Sequence, residues 1–524
     1  MSQLNLNGSW TLERVSDGTT CPINLPGDNY SALLAAGTIP DPYVAANELA
    51  VQWVGREDWA FRRTFNVTAG FLKNQNIVLE LESVDTVAEY WINGAKAGES
   101  RNMFVPVRLA VRGLLKEGEN ELRIVVQSPE KAASLLGQAL PYPVPHTGAP
   151  VMSPHRNLIR KAQCHSGWDW GPCLMVSGVY GSMRLLATAA ASLVRVWIDT
   201  VKGKSDLWTV KIHADVEAVK AGRQTLTIAF DSLPPVHQEI VLVPGRQTIP
   251  FEISLMGPKL WAPAGYGDQH LSAVNVTLGG DTWKGKIGFR TLEWKNDEDT
   301  WGKSLTCVVN GRPVFAKGAN WIPADALPSR WTPAVLTRHL EDLVAANMNL
   351  IRVWGGGIYE SDWFYEECDR LGILVWQDFM FSCATYPASP AFLVEVAAEV
   401  EHQVKRLKNH PSLALFCGNN EDLGALRWYP ETRDNPARYL VDYDRLNEGT
   451  IGRLVRQFDG PGRWWPSSPS GGIDDFTDGW HVQGRGDMHF WSVWHEGKSF
   501  DEYYSVVPRF CSEFGFQSFP WASD

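Results

Sequence analysis

The chain has no long apolar run, no basic excess and no paired cysteines, and each absence removes a class of function. No uninterrupted hydrophobic stretch reaches the ~20 residues that a membrane-spanning helix needs, so no membrane partner is expected. Lys and Arg number 48 against 59 Asp and Glu, a net charge of −11. Phosphate backbones are bound by clustered cations, so nucleic acid is not expected either. The eight cysteines (Cys21, Cys164, Cys173, Cys307, Cys368, Cys383, Cys417 and Cys511) are scattered without a CxxC pair. That spacing points away from a zinc site or disulfide framework and towards free thiols in a reducing compartment. The opening "MSQLNLNGSWTLERV" lacks a basic segment followed by an apolar one. No secretory leader is read there, and a cytoplasmic location is the expectation.

What is abundant is tryptophan, with 24 against 21 Phe and 14 Tyr. Indoles stabilise cores, but they also form flat faces that stack on sugar rings while the N–H donates to a hydroxyl. At 524 residues the chain is too long for one hydrophobic core, and about three domains are expected.

Residues 1–187 read as β-structure: "QWVGREDWAFRRTFNV", "NIVLELESVDTVAEYWING" and "NELRIVVQSP" combine alternation, aromatics and turn signals. A β-sandwich of jelly-roll type fits. Residues 188–296 give a second β run, including "SLVRVWIDTV" and "LWTVKIHADVEAV", spaced like a small immunoglobulin-like sandwich. From 297 to 524 strands alternate with helices. "RPVFAKGANWIP", "NLIRVWGGG", "ILVWQDFMF" and "SLALFCGNNE" are separated by helical text, and Thr332 caps one helix with Pro333 in its first turn. Near-continuous apolar strands in βαβ order predict a parallel sheet covered by helices, with a (β/α)8 TIM barrel leading. A doubly wound open sheet is the alternative, weakened because no Gly-rich phosphate loop follows any strand. "GRWWPSSPS", "DMHFWSVW" and "PRFCSEFGFQSF" continue the count to seven strands. The barrel is therefore expected to be incomplete in this chain, with the remainder of a longer protein as its partner.

Active sites of such barrels lie at the C-terminal ends of the strands. Glu421 ends the fourth predicted strand and Glu513, 92 residues later, ends the seventh. Two carboxylates in one pocket are what glycoside hydrolysis requires, one protonated and one ionised. Each alone is also readable as a solvated or salt-bridged strand-end acid.

Four blocks together, "GWDWGP" at 167–172, "RVWGGGIYE" at 352–360, "CGNNE" at 417–421 and "SEFGFQSFP" at 512–520, resemble the β-mannosidase branch of glycoside hydrolase family 2. The resemblance covers essentially the whole chain. It implies a retaining, exo-acting hydrolase that releases terminal β-D-mannose from a β-mannoside or manno-oligosaccharide through a covalent glycosyl-enzyme. Glu421 would be the acid/base, with a raised pKa, and Glu513 the ionised nucleophile. Retention predicts carboxyl groups about 5–5.5 Å apart, against about 6.5–9.5 Å for inversion.

The resemblance further implies that Asn420 binds the axial 2-OH and that Asp169 reaches over the barrel from the first sandwich to the sugar. Arg352 would orient a catalytic carboxylate, or else form a structural ion pair. Trp354 would wall the subsite, on a "GGG" loop suited to close approach to a ligand. Of Trp168 and Trp170, one is expected to line the pocket and the other to pack. Trp428 would stack on the leaving-group side, while Trp480, His489 and Trp491 would form pocket wall and hydroxyl partners. His481 and His489 are near enough in sequence to suggest a metal, but no third ligand is evident; neither metal nor cofactor is expected. Asp378 reads as a buried structural acid, and Asn419 as a strand-end hydrogen-bonding residue. The rival readings are another family 2 glycosidase, a β-galactosidase or exo-β-glucosaminidase, and a non-catalytic carbohydrate-binding protein.

Overall fold

The N-terminal region folds because its strands alternate. In Gly118–Val126, for example, Leu122, Ile124 and Val126 point inward and the residues between them face outward. In this computed structural model, which describes residues 2–231 and 233–516, two antiparallel sheets enclose one apolar core. One sheet orders Ser2–Asn5, Gly178–Thr188, Asn76–Asp85 and Val107–Ala110, with Gly27–Asp28 beside the second of these. The other has six strands, from Thr20–Leu25 at one edge to Ala95–Ser100 at the other. A second pair of antiparallel sheets begins at Ala191 and encloses its own core around Trp208, Ile212 and Phe230.

The segment "RPVFAKGANWIP", expected as one strand, is two. Asn310 and Gly311 both adopt positive φ (53° and 76°), the conformation of a two-residue hairpin turn. That turn folds Arg312–Val314 back antiparallel onto Thr306–Val309. Only Gly318–Trp321 (β1) joins the parallel sheet.

The sheet then runs in chain order through Leu350–Val353 (β2), Leu374–Asp378 (β3), Leu413–Cys417 (β4) and Trp464–Trp465 (β5). β2, β3 and β4 are buried at every residue, as strands covered on both faces must be. Pro333–Ala345 (α1) is capped by Thr332, whose hydroxyl accepts from Val335 N–H, and Asp362–Leu371 (α2) stops at Gly372 in the left-handed region. Pro390–Leu407 (α3) carries Lys405 and Arg406 in its last turn, where the helix dipole favours them. β5 is only two residues long because Pro466 and Pro469 cannot donate to a ladder. Met488–Phe490 (β6) and Cys511–Phe514 (β7) pair with each other in parallel. Among the described residues, β1 pairs only with β2 and β7 only with β6, although Asn320 Nδ2 of β1 donates to the Ser512 carbonyl of β7 (3.1 Å). Residues 517–520 of the "SEFGFQSFP" block lie outside the described residues.

The first region is clamped onto the parallel-sheet region by buried polar contacts. Arg160 donates to Glu399 of α3 through Nε and Nη2 (2.9 and 2.7 Å), and Arg156 and Asn157 donate to carbonyls of residues 382–385 after β3. These ties hold the 167–172 loop over the C-terminal ends of the parallel strands. All eight cysteines are free thiols. Among the described residues no helix is long and apolar enough to cross a membrane.

Candidate active site

β4 stops just before Gly418, where a side chain would strike Asn447 and the Pro466 carbonyl. Asn419 then latches the turn. Its Nδ2 donates to Asn447 Oδ1 (3.1 Å) and the Pro466 carbonyl (3.2 Å), and its Oδ1 accepts from Asp422 N–H (3.1 Å) and Ser467 Oγ (2.7 Å). The chain turns through Glu421 at φ 62°, unusual for a residue with a side chain, directly before the helix Asp422–Trp428 (α4). Glu421 is thereby presented at the mouth while remaining buried.

Its carboxylate is surrounded by donors. Trp480 Nε1–H donates to Oε1 (3.0 Å), Cys383 Sγ–H donates to Oε2 (3.1 Å), and His489 Nδ1 lies 2.6 Å from Oε1. Glu513, at the end of β7, accepts from Arg352 Nη1 at Oε1 and from Trp491 Nε1–H at Oε2 (3.0 Å). One oxygen of each carboxylate and the His489 nitrogen all lie within 4.8 Å of one another.

Those three atoms also have the spacing of a metal cluster. The two carboxylates already accept from Trp480 and Cys383 on Glu421 and from Arg352 and Trp491 on Glu513, so a cation would compete with donors already in place. His481 does not join them, because its ring stacks on Trp480 (5.6 Å between centroids).

Arg352, from β2, is the hub. It donates through Nε and Nη2 to Asp378 (3.3 and 2.7 Å), through Nη2 to Asn420 Oδ1 (2.8 Å), and through Nη1 to Asn320 Oδ1 (2.9 Å) and to Glu513. Burial pushes the Asp378 carboxyl up to about 6, with Arg352 opposing that rise. The ion pair to Asp378 aims Nη1 at Glu513.

A cavity of about 1100 Å³ opens above the carboxylates. It is lined by Trp168, Asp169, Arg352, Trp354, Asn420, Glu421, Trp428, Trp480, Trp491 and Glu513, all expected from the sequence. Trp168 and Trp170 both line it, set edge-on against Trp354 at 4.7 and 5.5 Å. Trp428 meets Trp480 edge-on at 6.2 Å.

Four expectations change, the first being that Trp170 lines the cavity together with Trp168. His489 is not pocket wall: it is fully buried behind the carboxylates, within 3.4 Å of Glu513 Oε2 as well as bonded to Glu421. The Glu421 carboxyl is not raised. Burial favours its neutral form, but the hydrogen bond and charge of His489 outweigh burial and hold it below the ordinary range. The "GGG" run is explained by protein neighbours, because side chains at Gly355, Gly356 and Gly357 would strike the Phe381 carbonyl, the Trp354 ring and Pro323. Two contributors went unread in the sequence. Asn320 sits at the end of β1, where the strand-end rule that found Glu421 would have found it. Cys383 lies in the loop after β3, which carries no comparable signal.

A family profile described as "Glycosyl hydrolase 2 galactose-binding domain-like" matches residues 10–181, so the N-terminal unit is a jelly-roll-like domain of that kind. A β-mannosidase of Rattus norvegicus is 35% identical over 98% of this chain and 61% of its own length. A β-D-mannosidase crystal structure from Dictyoglomus thermophilum superposes with a TM-score of 0.92 at 38% identity, covering 100% of this chain and 64% of that one. The exo-chitosanase CsxA of Amycolatopsis orientalis shares the fold alone, at TM-score 0.71 and 19% identity over 89% of this chain and 53% of that one. The chain thus spans somewhat over three-fifths of the β-mannosidases it matches. Over nearly its whole length the chain is similar to these β-mannosidases.

Proposed function

We propose that this chain carries the catalytic site of a retaining exo-β-mannosidase. The observation that carries the reading is the carboxylate pair, Glu421 and Glu513, within 4.8 Å at the ends of β4 and β7 in a tryptophan-lined cavity. Glu513, held by Arg352 and Trp491, attacks the anomeric carbon, and Glu421 protonates the leaving oxygen and later deprotonates water. Asn420 is placed for the 2-OH. Its oxygen is engaged by Arg352, while its Nδ2 reaches Ser382 Oγ (3.1 Å) and only a weak acceptor, Cys383 Sγ (3.3 Å), so one N–H is available to a hydroxyl. That contact would strengthen in the transition state.

In this reading, residues 1–187 form the jelly-roll domain, 188–296 an immunoglobulin-like sandwich, and 297–524 the first seven strands of a (β/α)8 barrel. Among the described residues the seven strands form a sheet of β1–β5 and a separate pair β6–β7, and the free edges of β1 and β7 suit an eighth strand from the remainder of a longer polypeptide.

A panel of nitrophenyl β-glycosides tests the activity. The mannoside should be cleaved best, and proton NMR of the first product should show the β anomer. Preference for the galactoside or glucosaminide would replace the substrate assignment, and cleavage of none would favour a binding protein.

Asp169 is exposed on the 167–172 loop and lines the cavity beside Trp168. It accepts hydrogen bonds from the hydroxyls of the terminal sugar, and the loop makes the pocket blind. Asp169→Ala is expected to lower kcat/KM by about 10²-fold, in the range of a lost charge-assisted hydrogen bond to substrate. Steady-state kinetics on the nitrophenyl mannoside check this, and an unchanged kcat/KM would remove Asp169 from the site.

A further inference from the structure

Behind Glu421 the hydrogen bonds can be counted, and the count determines where one proton lies. Asp487 is buried and accepts four donors: Trp465 Nε1–H (2.8 Å) and Ser470 N–H (2.9 Å) at Oδ1, Ser468 Oγ–H (2.7 Å) and Ser512 Oγ–H (2.5 Å) at Oδ2. The Ser468 hydroxyl has Asp487 Oδ2 at 2.7 Å and Ser512 Oγ at 3.2 Å as acceptors, and with its hydrogen on either of them its oxygen is left to accept. His489 Nε2, 3.0 Å from that oxygen, must carry a hydrogen. The opposite ring nitrogen, Nδ1, sits 2.6 Å from Glu421 Oε1, a distance that requires a proton between them. Glu421 itself has no other claim on that proton, since its remaining neighbours, Trp480 and Cys383, are donors.

We propose that His489 stores the proton that Glu421 delivers to the leaving group, with Ser468 and Asp487 fixing the tautomer that makes the store possible. The inference rests on the reading of Glu421 as acid/base.

The balance is as follows. In the free enzyme Glu513 is ionised, and the His489–Glu421 pair shares one proton and is neutral overall. Attack by Glu513 forms its ester to the anomeric carbon as the glycosidic bond breaks. The leaving oxygen takes the shared proton, leaving neutral His489, with hydrogen on Nε2, and ionised Glu421. Water then attacks, the ester bond breaks to regenerate Glu513, and the water proton returns to the pair.

The groups facing the imidazole agree with this role. Glu513 and Glu421 outweigh burial and Arg352 in raising the His489 pKa. Asp487 acts through Ser468, and Cys383 and Asp378 lie one contact further out on Glu421 and Arg352.

The test compares phenyl β-mannoside, whose leaving group needs a proton, with 2,4-dinitrophenyl β-mannoside, whose leaving group does not. His489→Gln is expected to lower kcat/KM about 10²-fold on the phenyl substrate and less than about tenfold on the dinitrophenyl one, the split expected of lost acid assistance. Ser468→Ala removes the acceptor of Nε2–H together with one of the four donors to Asp487, so the imidazolium is less stable. The alkaline limb of the phenyl pH profile should move to lower pH by about one unit while the dinitrophenyl profile stays in place. Equal losses on both substrates, or an unmoved alkaline limb in Ser468→Ala, would overturn the proposal. Wild-type protein that cleaves neither mannoside would instead overturn the acid/base reading beneath it. If His489→Gln does not fold, Ser468→Ala alone decides the matter.

Discussion

Glu513→Ala should reduce turnover of an aryl β-mannoside by at least about 10⁴-fold while leaving the fold intact. The size of the loss follows from the residue's role: no other described side chain offers an ionised oxygen at the end of β7. The survival of the fold follows from Arg352, which keeps its two contacts to Asp378 and those to Asn320 and Asn420 when Glu513 is removed. The guanidinium is therefore not stranded. The truncation leaves a hole the size of a small anion, with Arg352 Nη1 and Trp491 Nε1–H still pointing into it. Added azide should enter that hole and restore part of the rate, giving the α-configured mannosyl azide by a single inversion. Full activity in the variant, or a β-configured azide, would show that the nucleophile lies elsewhere.

How far this site was legible in the sequence depended on which structural rule each residue obeyed. Glu421 and Glu513 could be found because strands buried on both faces read as unbroken apolar runs, and barrel chemistry collects where such runs stop. The tryptophans followed from the same placement. His489 could not be oriented. It lies in a strand of three residues, and a shift of one residue there turns a side chain from the cavity to the interior. The lowered pKa of Glu421 was missed for the same reason, since burial was countable from the sequence and the imidazole behind the carboxylate was not. Asn419 looked like a generic strand-end amide because its partners, Asn447 and Pro466, come from an excursion whose path the sequence does not reveal. The hairpin at Asn310 and Gly311 is the opposite case. Its Asn-Gly signal stands in plain text directly before the segment read as one strand, and pairs Arg312–Val314 with the strand before it.

Arg352→Met is expected to cost the parallel-sheet region about 3–5 kcal/mol near neutral pH, the usual effect of removing one member of a buried ion pair. Two acids are involved here. Arg352 is 2% exposed and stands between Asp378 and Glu513, both buried. Without it, two carboxylates face each other with no cation, and each can relieve the cost only by taking up a proton. The sign of the pH dependence follows. Even with Arg352 present, burial raises Asp378 to about 6, so its share of stability is complete below the ordinary carboxylate range and is lost as pH rises towards that value. Losing Arg352 removes the influence that holds the rise in check and extends the window upward. The variant's deficit should therefore be largest near neutral pH and shrink near pH ~5. Hydrogen exchange of peptides spanning β2 and β3, compared with wild type at both pH values, measures it; equal deficits at the two would show that the charges are not the cause. Activity should fall as well, because Glu513 loses the guanidinium that holds it in place. Arg352→Lys separates the two effects. A lysine restores one positive charge and much of the stability, but a single ammonium cannot hold Asp378 with two donors while aiming a third at Glu513. Its kcat should stay low where its exchange protection recovers.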